Sequence, residues 1–258
     1  EIKAPTGFVL SDKVYPINIS VNGMIIEITI ENKPIKGNVM VVKHDSEKPE
    51  QILKGAVFAV YQDTDSDKKY SGTDKFIGNL TEAAGVHEYK DLLYGDYLLK
   101  EIKAPEGYNA DNSYYPFSIR NDGETVRISN NGDDKFYNNI VKGKIEGIKV
   151  GESDEPLSGA LIGLFADGES EFTENNALKT DLTDENGKFT FEDVVYGKYT
   201  VAEIKAPAGY ILTEKSFPVT VDEDGETISV EIGNEKIRGS VRIETVSYTH
   251  LRAHETEA

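Results

Sequence analysis

The sequence predicts an all-β chain of tandem β-sandwiches, and three observations carry that prediction. Short stretches alternate apolar and polar residues: in ETISVEIGN, Ile228, Val230 and Ile232 share one face, and in MIIEITIEN so do Ile26, Ile28 and Ile30. Asn-Gly and Asp-Gly pairs punctuate the runs (Asn22-Gly23, Asp122-Gly123, Asn186-Gly187, Asp224-Gly225), as short hairpin connections require. The pattern also repeats. EIKAP occurs at Glu1–Pro5, Glu101–Pro105 and Glu203–Pro207, each time running on to x-Gly-Tyr or x-Gly-Phe.

The repeat boundaries follow from a second motif, [IV]-[KR]-Gly, whose glycines Gly37, Gly143 and Gly239 lie 106 and 96 residues apart. Residues 1–36 read as the C-terminal part of a truncated domain, 37–142 and 143–238 as complete sandwiches, and 239–245 as the first strand of a further repeat. The stretch 246–258 (VSYTHLRAHET and the residues after it) resembles a translated sequencing adapter and is set aside as a non-native tail. On this reading the chain is a fragment, cut at both ends.

Taken in order, segment 1–36 is expected to form hairpins with an exposed, aggregation-prone apolar edge at Ile26, Ile28 and Ile30. Each complete repeat then opens on an apolar strand and continues through LKGAVFAVY (Leu53–Tyr61) or LSGALIGLF (Leu157–Phe165). A gap-free match follows between DLLYGDYLLKEIKAPEGY and DVVYGKYTVAEIKAPAGY. Ala-Pro-x-Gly, with Pro second and Gly fourth, suits a type I turn at the strand end. Only ENNALKT (Glu174–Thr180) offers a short helical turn.

Composition excludes several function classes. The 258 residues carry a net charge of −18, which opposes binding to nucleic acid and docking on anionic lipid. No stretch is apolar and long enough to span a membrane. With no cysteine in the chain, any internal staple is not sulfur. No phosphate-binding loop, dinucleotide fingerprint, HExxH or Ser-His-Asp set occurs, so enzymatic turnover is not expected. His44 and His87 read as isolated surface residues.

The repeated glutamate raises a physical problem. Tyr97, Leu99 and Glu101 share one strand face, as do Tyr199, Val201 and Glu203. If the aromatic face is the core, the glutamate points inward, where a lone carboxylate is costly. The alternating strands likewise end on Asn234, after Ile232, and on Asn32, after Ile30. In 37–142 the last strand is irregular, reaching its asparagine six residues later after Asp-Gly than its neighbour does. Asn138 fits by its distance from Lys142, with Asn139, Asn131 and Asn130 as rivals. Lys43 and Lys149, each six residues past the repeat glycine, are the candidate partners, although VMVVK is apolar on both faces and alternation does not place its lysine.

In order and twice over, Val41-Val42-Lys43-His44-Asp45, the Gly-Ala-x-[Phe/Ile] strand, Tyr-Gly-x-Tyr and EIKAPxGY resemble the collagen-adhesin B-type (SpaA-like, prealbumin-like, Ig-like sandwich) domains of Gram-positive surface proteins and pilins. The resemblance covers residues 1–245. It implies stalk modules of an extracellular, cell-wall-attached adhesin, with signal peptide and anchor outside this segment. It also implies intramolecular Lys–Asn isopeptide bonds promoted by the glutamate of EIKAP, the E-box. Carried over by residue, the crosslinked pairs are Lys43 with Asn138 and Lys149 with Asn234, and the proton shuttles are Glu101 and Glu203. Glu1 and Asn32 are remnants without a lysine. Burial favours a neutral amine and a neutral acid, and proximity accelerates amide exchange, once per domain and without turnover.

The implied partners are neighbouring repeats of the same chain and, through domains absent here, host extracellular matrix. The alternatives are a domain that itself grips matrix or glycan, and an accessory sandwich of a secreted carbohydrate-active enzyme. No organic cofactor is expected. One metal candidate stands apart: DTDSDKKYSGTD places Asp63, Asp65, Asp67, Ser71 and Asp74 at positions 1, 3, 5, 9 and 12 of an EF-hand-like calcium loop. Lys68 stands where the turn wants Gly, and Asp74 where Glu is usual. These departures favour a solvated acidic loop over calcium.

Overall fold

Sixteen strands and no helix form among the described residues, 1–246 of the computed structural model. The strands of residues 37–142 are β1 (Lys36–Asp45), β2 (Val57–Gln62), β3 (Lys75–Asn79), β4 (Thr81–Ala83), β5 (Val86–Leu93), β6 (Gly95–Lys103), β7 (Tyr114–Ile119), β8 (Thr125–Arg127) and β9 (Phe136–Asn138). Those of the following repeat are β10 (Lys142–Val150), β11 (Leu161–Ala166), β12 (Lys179–Leu182), β13 (Lys188–Val195), β14 (Gly197–Lys205), β15 (Ser216–Val221) and β16 (Thr227–Gly233). The chain divides into two compact units. The first holds Glu1–Ile145 with Glu192–Lys198 and Thr220–Ile228; the second holds Glu146–Phe191, Tyr199–Val219 and the residues from Ser229 on.

In the first unit, one sheet runs β4-β5-β1-β8 with β9 also paired to β1, and the other runs β3-β2-β6-β7. Alternation sorts the side chains: Val39 and Val41 of β1, Phe58 and Val60 of β2, Leu99 of β6 and Phe136 of β9 are all buried in one core. The irregular last strand now has a cause. Met40 pairs with Arg127 and Lys43 with Phe136, so β1 advances 3 residues while its partner advances 9. The 6 extra residues form an excursion between β8 and β9, after which pairing resumes beside Lys43.

The second repeat builds the sheets β13-β10-β16 and β12-β11-β14-β15. Ile162, Leu164, Phe189, Phe191, Val201 and Ile232 are buried there. Both domains therefore show the fold that period-2 patterning demands: inward apolar faces closed over one another and polar faces outward.

Five local expectations need correction. The turn after EIKAP begins at proline, not alanine: Tyr108 N–H donates to Pro105 O at 3.2 Å, and Gly107, third in the turn, has φ +80°. That geometry is type II, and it recurs at Gly7 and Gly209 with φ +84° and +89°. Residues 1–36 form no hairpin. Before Lys36, which opens β1, their only β-pairing is the bridge Phe8–Pro34, and Ile26, Ile28 and Ile30 are exposed. A strand needs a partner, and no described residue supplies the lysine-bearing strand that β10 provides to β16. ENNALKT forms a plain turn leading into β12, and 239–245 forms no strand. The tail assigned to an adapter falls, but for Val246, outside the described residues. His44 and His87 are buried rather than surface residues, at 7 % and 0 % exposure. Neighbouring bulk explains both: His87 packs edge-on against Phe58, and His44 Nδ1 meets Pro49 O at 2.8 Å.

Candidate functional site

Three elements bring one lysine, one glutamate and one asparagine together inside each sandwich. In the first, β1 carries Lys43 on the face of Val39 and Val41, β6 carries Glu101 opposite Phe58, and β9 carries Asn138 opposite Asp45. All three are buried, with exposures of 0, 1 and 3 %. Lys43 Nζ lies 2.8 Å from Glu101 Oε1 and donates to Asn138 Oδ1. The Asn138 amide nitrogen in turn donates to both Glu101 oxygens, at 3.1 and 3.2 Å. Aromatic faces close the site, with Lys43 Nζ 4.1 Å from the Phe136 ring centre and 5.4 Å from that of Phe58.

The second sandwich repeats the arrangement on β10, β14 and the residue following β16. Lys149 Nζ lies 3.4 Å from Glu203 Oε1, donates to Asn234 Oδ1 and donates to Ile232 O at 3.1 Å. Asn234 Nδ2 donates to Glu203 Oε1 at 2.9 Å. Again all three residues are buried.

Burial shifts both lysine amines toward the uncharged form. Burial pushes the Lys43 amine down to about 8 against the opposing attraction of Glu101, and pushes Lys149 down against that of Glu203. Among the rival asparagines, Asn130 is engaged elsewhere: it donates to Asp111 Oδ2 and Tyr137 O and accepts from Tyr137 N.

Sequence reading missed the support behind each glutamate. A backbone N–H ten residues on donates to its second oxygen: Asp111 to Glu101 at 2.7 Å, Thr213 to Glu203 at 3.0 Å, and Ser11 to Glu1 at 3.0 Å. The constant spacing after EIKAP was the available signal. In segment 1–36 the remnant pair also meets, Asn32 Nδ2 donating to Glu1 Oε1 at 2.8 Å, but Glu1 is exposed and Asn32 only half-buried. There Asn32 and the Ser11 N–H hold Glu1 below the usual carboxylate range.

Of the acidic-loop residues, Asp63, Asp65 and Asp67 converge, each offering a carboxylate oxygen within 4.8 Å of the others. Asp74 lies outside that group and closes the loop, accepting from Thr64 N at 3.1 Å and Ser71 N at 2.6 Å. Ser71 Oγ instead meets Thr73 Oγ1. Lys68 adopts φ +64°, the left-handed turn that Gly was expected to supply. The Asp67 N–H lowers the Asp65 carboxyl, but desolvation and the carboxylates of Asp63, Asp67 and Asp74 outweigh it and push it up.

The model of the SpaA prealbumin-like fold domain matches residues 37–133 and again 143–236. The chain belongs to this family. Among curated proteins it is 29 % identical over 222 residues to a collagen adhesin of Staphylococcus aureus, covering 76 % of this chain and 18 % of that protein. It is 28 % identical over 202 residues to serine-aspartate repeat-containing protein F of Staphylococcus epidermidis, covering 65 % of this chain and 12 % of the relative. The solved structure of the Bacillus anthracis TIE protein superposes with a TM-score of 0.74 at 28 % identity, covering 91 % of this chain and 41 % of that one. The chain thus spans less than a fifth of the curated relatives' length. These family domains are structural, and no turnover activity is assigned to the chain.

Proposed function

We propose that the chain is a stalk segment of a cell-wall-attached surface adhesin or pilin-like protein, whose repeats 37–142 and 143–238 each lock themselves with one isopeptide bond. The observation that carries this reading is the twice-built, fully buried lysine–glutamate–asparagine cluster. A buried ion pair is by itself weak support for stability, whereas an amine in contact with a carboxamide is arranged for reaction. The named activity of the collagen adhesin stays with that protein.

The chemistry balances within each cluster. The Lys43 amine attacks Asn138 Cγ, while Glu101 takes the proton that the amine loses, polarises the carbonyl and hands the proton to the departing nitrogen. The new bond is Lys43 Nζ–Asn138 Cγ, the bond broken is Asn138 Cγ–Nδ2, and one ammonia leaves. Lys149, Glu203 and Asn234 act alike. Both asparagines line open polar clefts, Asn138 beside Asn109 and Asp111, and Asn234 beside Thr213 and Glu235, which give ammonia an exit.

Replacing Glu203 by Gln keeps the shape and the acceptor for Thr213 N–H but removes the acid. The Lys149–Asn234 linked peptide should then vanish from a protease digest while the Lys43–Asn138 peptide persists. Glu101→Gln should do the reverse. Linked peptides that survive both substitutions would refute the shuttle role.

A further inference from the structure

The acidic loop between β2 and β3 holds a buried oxygen with nothing to bind. Asp63 is 4 % exposed, and its Oδ1 is buried with no hydrogen-bond partner. Its Oδ2 is occupied, accepting from Lys68 N at 3.0 Å. The two neighbouring carboxylates are tied the same way on one side only: Asp65 Oδ1 accepts from Asp67 N at 3.3 Å, and Asp67 Oδ1 accepts from Lys69 N at 2.7 Å. Each carboxylate thus gives one oxygen to the loop backbone, and each offers an oxygen within 4.8 Å of one on both others. An unpaired buried carboxylate oxygen is costly unless a cation or proton meets it.

We propose that Asp63, Asp65 and Asp67 bind one calcium ion, a site that belongs to repeat 37–142 alone. Calcium takes oxygen ligands at about 2.3–2.6 Å, so two ligands of one ion lie at most about 5 Å apart. The 4.8 Å limit on the three oxygens meets that condition. Magnesium's shorter bonds, about 2.0–2.1 Å, need a tighter set and six-fold geometry. A proton shared between Asp63 and Asp65 would satisfy one oxygen and leave most of the negative charge in place. A divalent cation would satisfy Asp63 Oδ1 and offset two charges at once. The corresponding stretch of the second repeat, Asp167-Gly168-Glu169-Ser170-Glu171, keeps carboxylates at the same spacing, with glutamate in place of two aspartates; among the described residues only Asp63, Asp65 and Asp67 converge.

The site carries only three carboxylates, so its affinity belongs with the weaker extracellular modules, with Kd on the order of 10⁻⁴–10⁻³ M. Isothermal titration of calcium chloride into the chelator-treated full chain tests this directly. One saturable site per chain is expected, together with tyrosine-sensitised terbium luminescence through Tyr70, which stacks on Tyr114 beside the loop. Asp65→Asn should weaken calcium binding by about 10-fold or more. This side chain is exposed and asparagine still accepts from Asp67 N–H, so the variant keeps the fold even where Asp63→Asn does not. The absence of saturable binding at millimolar calcium would overturn the site in favour of the shared proton. An affinity unchanged by Asp65→Asn would overturn it too.

Discussion

At the residue scale, what distinguishes the two sandwiches is which polar groups they bury besides the clusters. His87 sits in the first core with neither ring nitrogen hydrogen-bonded, edge-on to Phe58. Burial pushes its pKa down, and the charge of Lys43 adds to this while Glu82 opposes it. Phe189 takes the same position in the second repeat, four residues before the matched Asp193 as His87 lies four before Asp91. A histidine with a depressed folded pKa is held neutral in the fold while the unfolded chain takes up the proton. Its contribution to stability is therefore complete above the unfolded value, about 6.5, and is lost as pH falls below it. Lowering pH from 7 to 5 should selectively lower hydrogen-exchange protection factors, which correct for the slower intrinsic exchange at low pH, in β1 and β5, while those of β10 and β13 change less. His87→Phe should abolish that difference, and equal acid sensitivity before and after the substitution would disprove it.

At the element scale, strands form where the sequence supplies both an apolar face and a partner. MIIEITIEN has the alternation of ETISVEIGN, yet only the latter becomes a strand, β16, because it lies along β10. Backbone amides of residues 24–31 should accordingly exchange quickly, and those of β16 slowly, in the same sample. Slow exchange of 24–31 in a monomer would show a partner strand that the structure does not contain. The same distinction explains how much was legible beforehand. Alternation and Asp-Gly turns announced the strands, and parity along YLLKE and YTVAE placed Glu101 and Glu203 inward, because a period of two leaves no freedom once one face is buried. Lys43 was not placed by its own strand. Residues on both sides of it are apolar, and only tertiary packing put Val39, Val41 and Lys43 on the inner face. The burial of His44 and His87 was hidden because a neutral imidazole packs as an aromatic, which no spacing reveals. Proline's place in the EIKAP turn was misread, since the turn type depends on which residue accepts the closing hydrogen bond.

At the scale of the whole molecule, each lysine and its asparagine stand far apart in sequence, 95 residues for Lys43 and Asn138 and 85 for Lys149 and Asn234. If the loop-entropy account of disulfides carries over, closing loops of that length stabilises each repeat by roughly 4–5 kcal/mol relative to the unfolded chain. The proposed link would also join the first strand of a repeat to its last, β1 to β9 directly and β10 to the end of β16. Tension applied along the chain would cross that covalent link instead of peeling the sandwich, as a stalk requires. The most direct test is the intact mass of the purified chain against the mass of its sequence. The account predicts a deficit of two ammonia molecules in the native protein, falling to one in Glu101→Gln or Glu203→Gln and to none in the double variant. A native chain at its full sequence mass would contradict the crosslinks and leave only two uncrosslinked sandwiches with buried polar clusters.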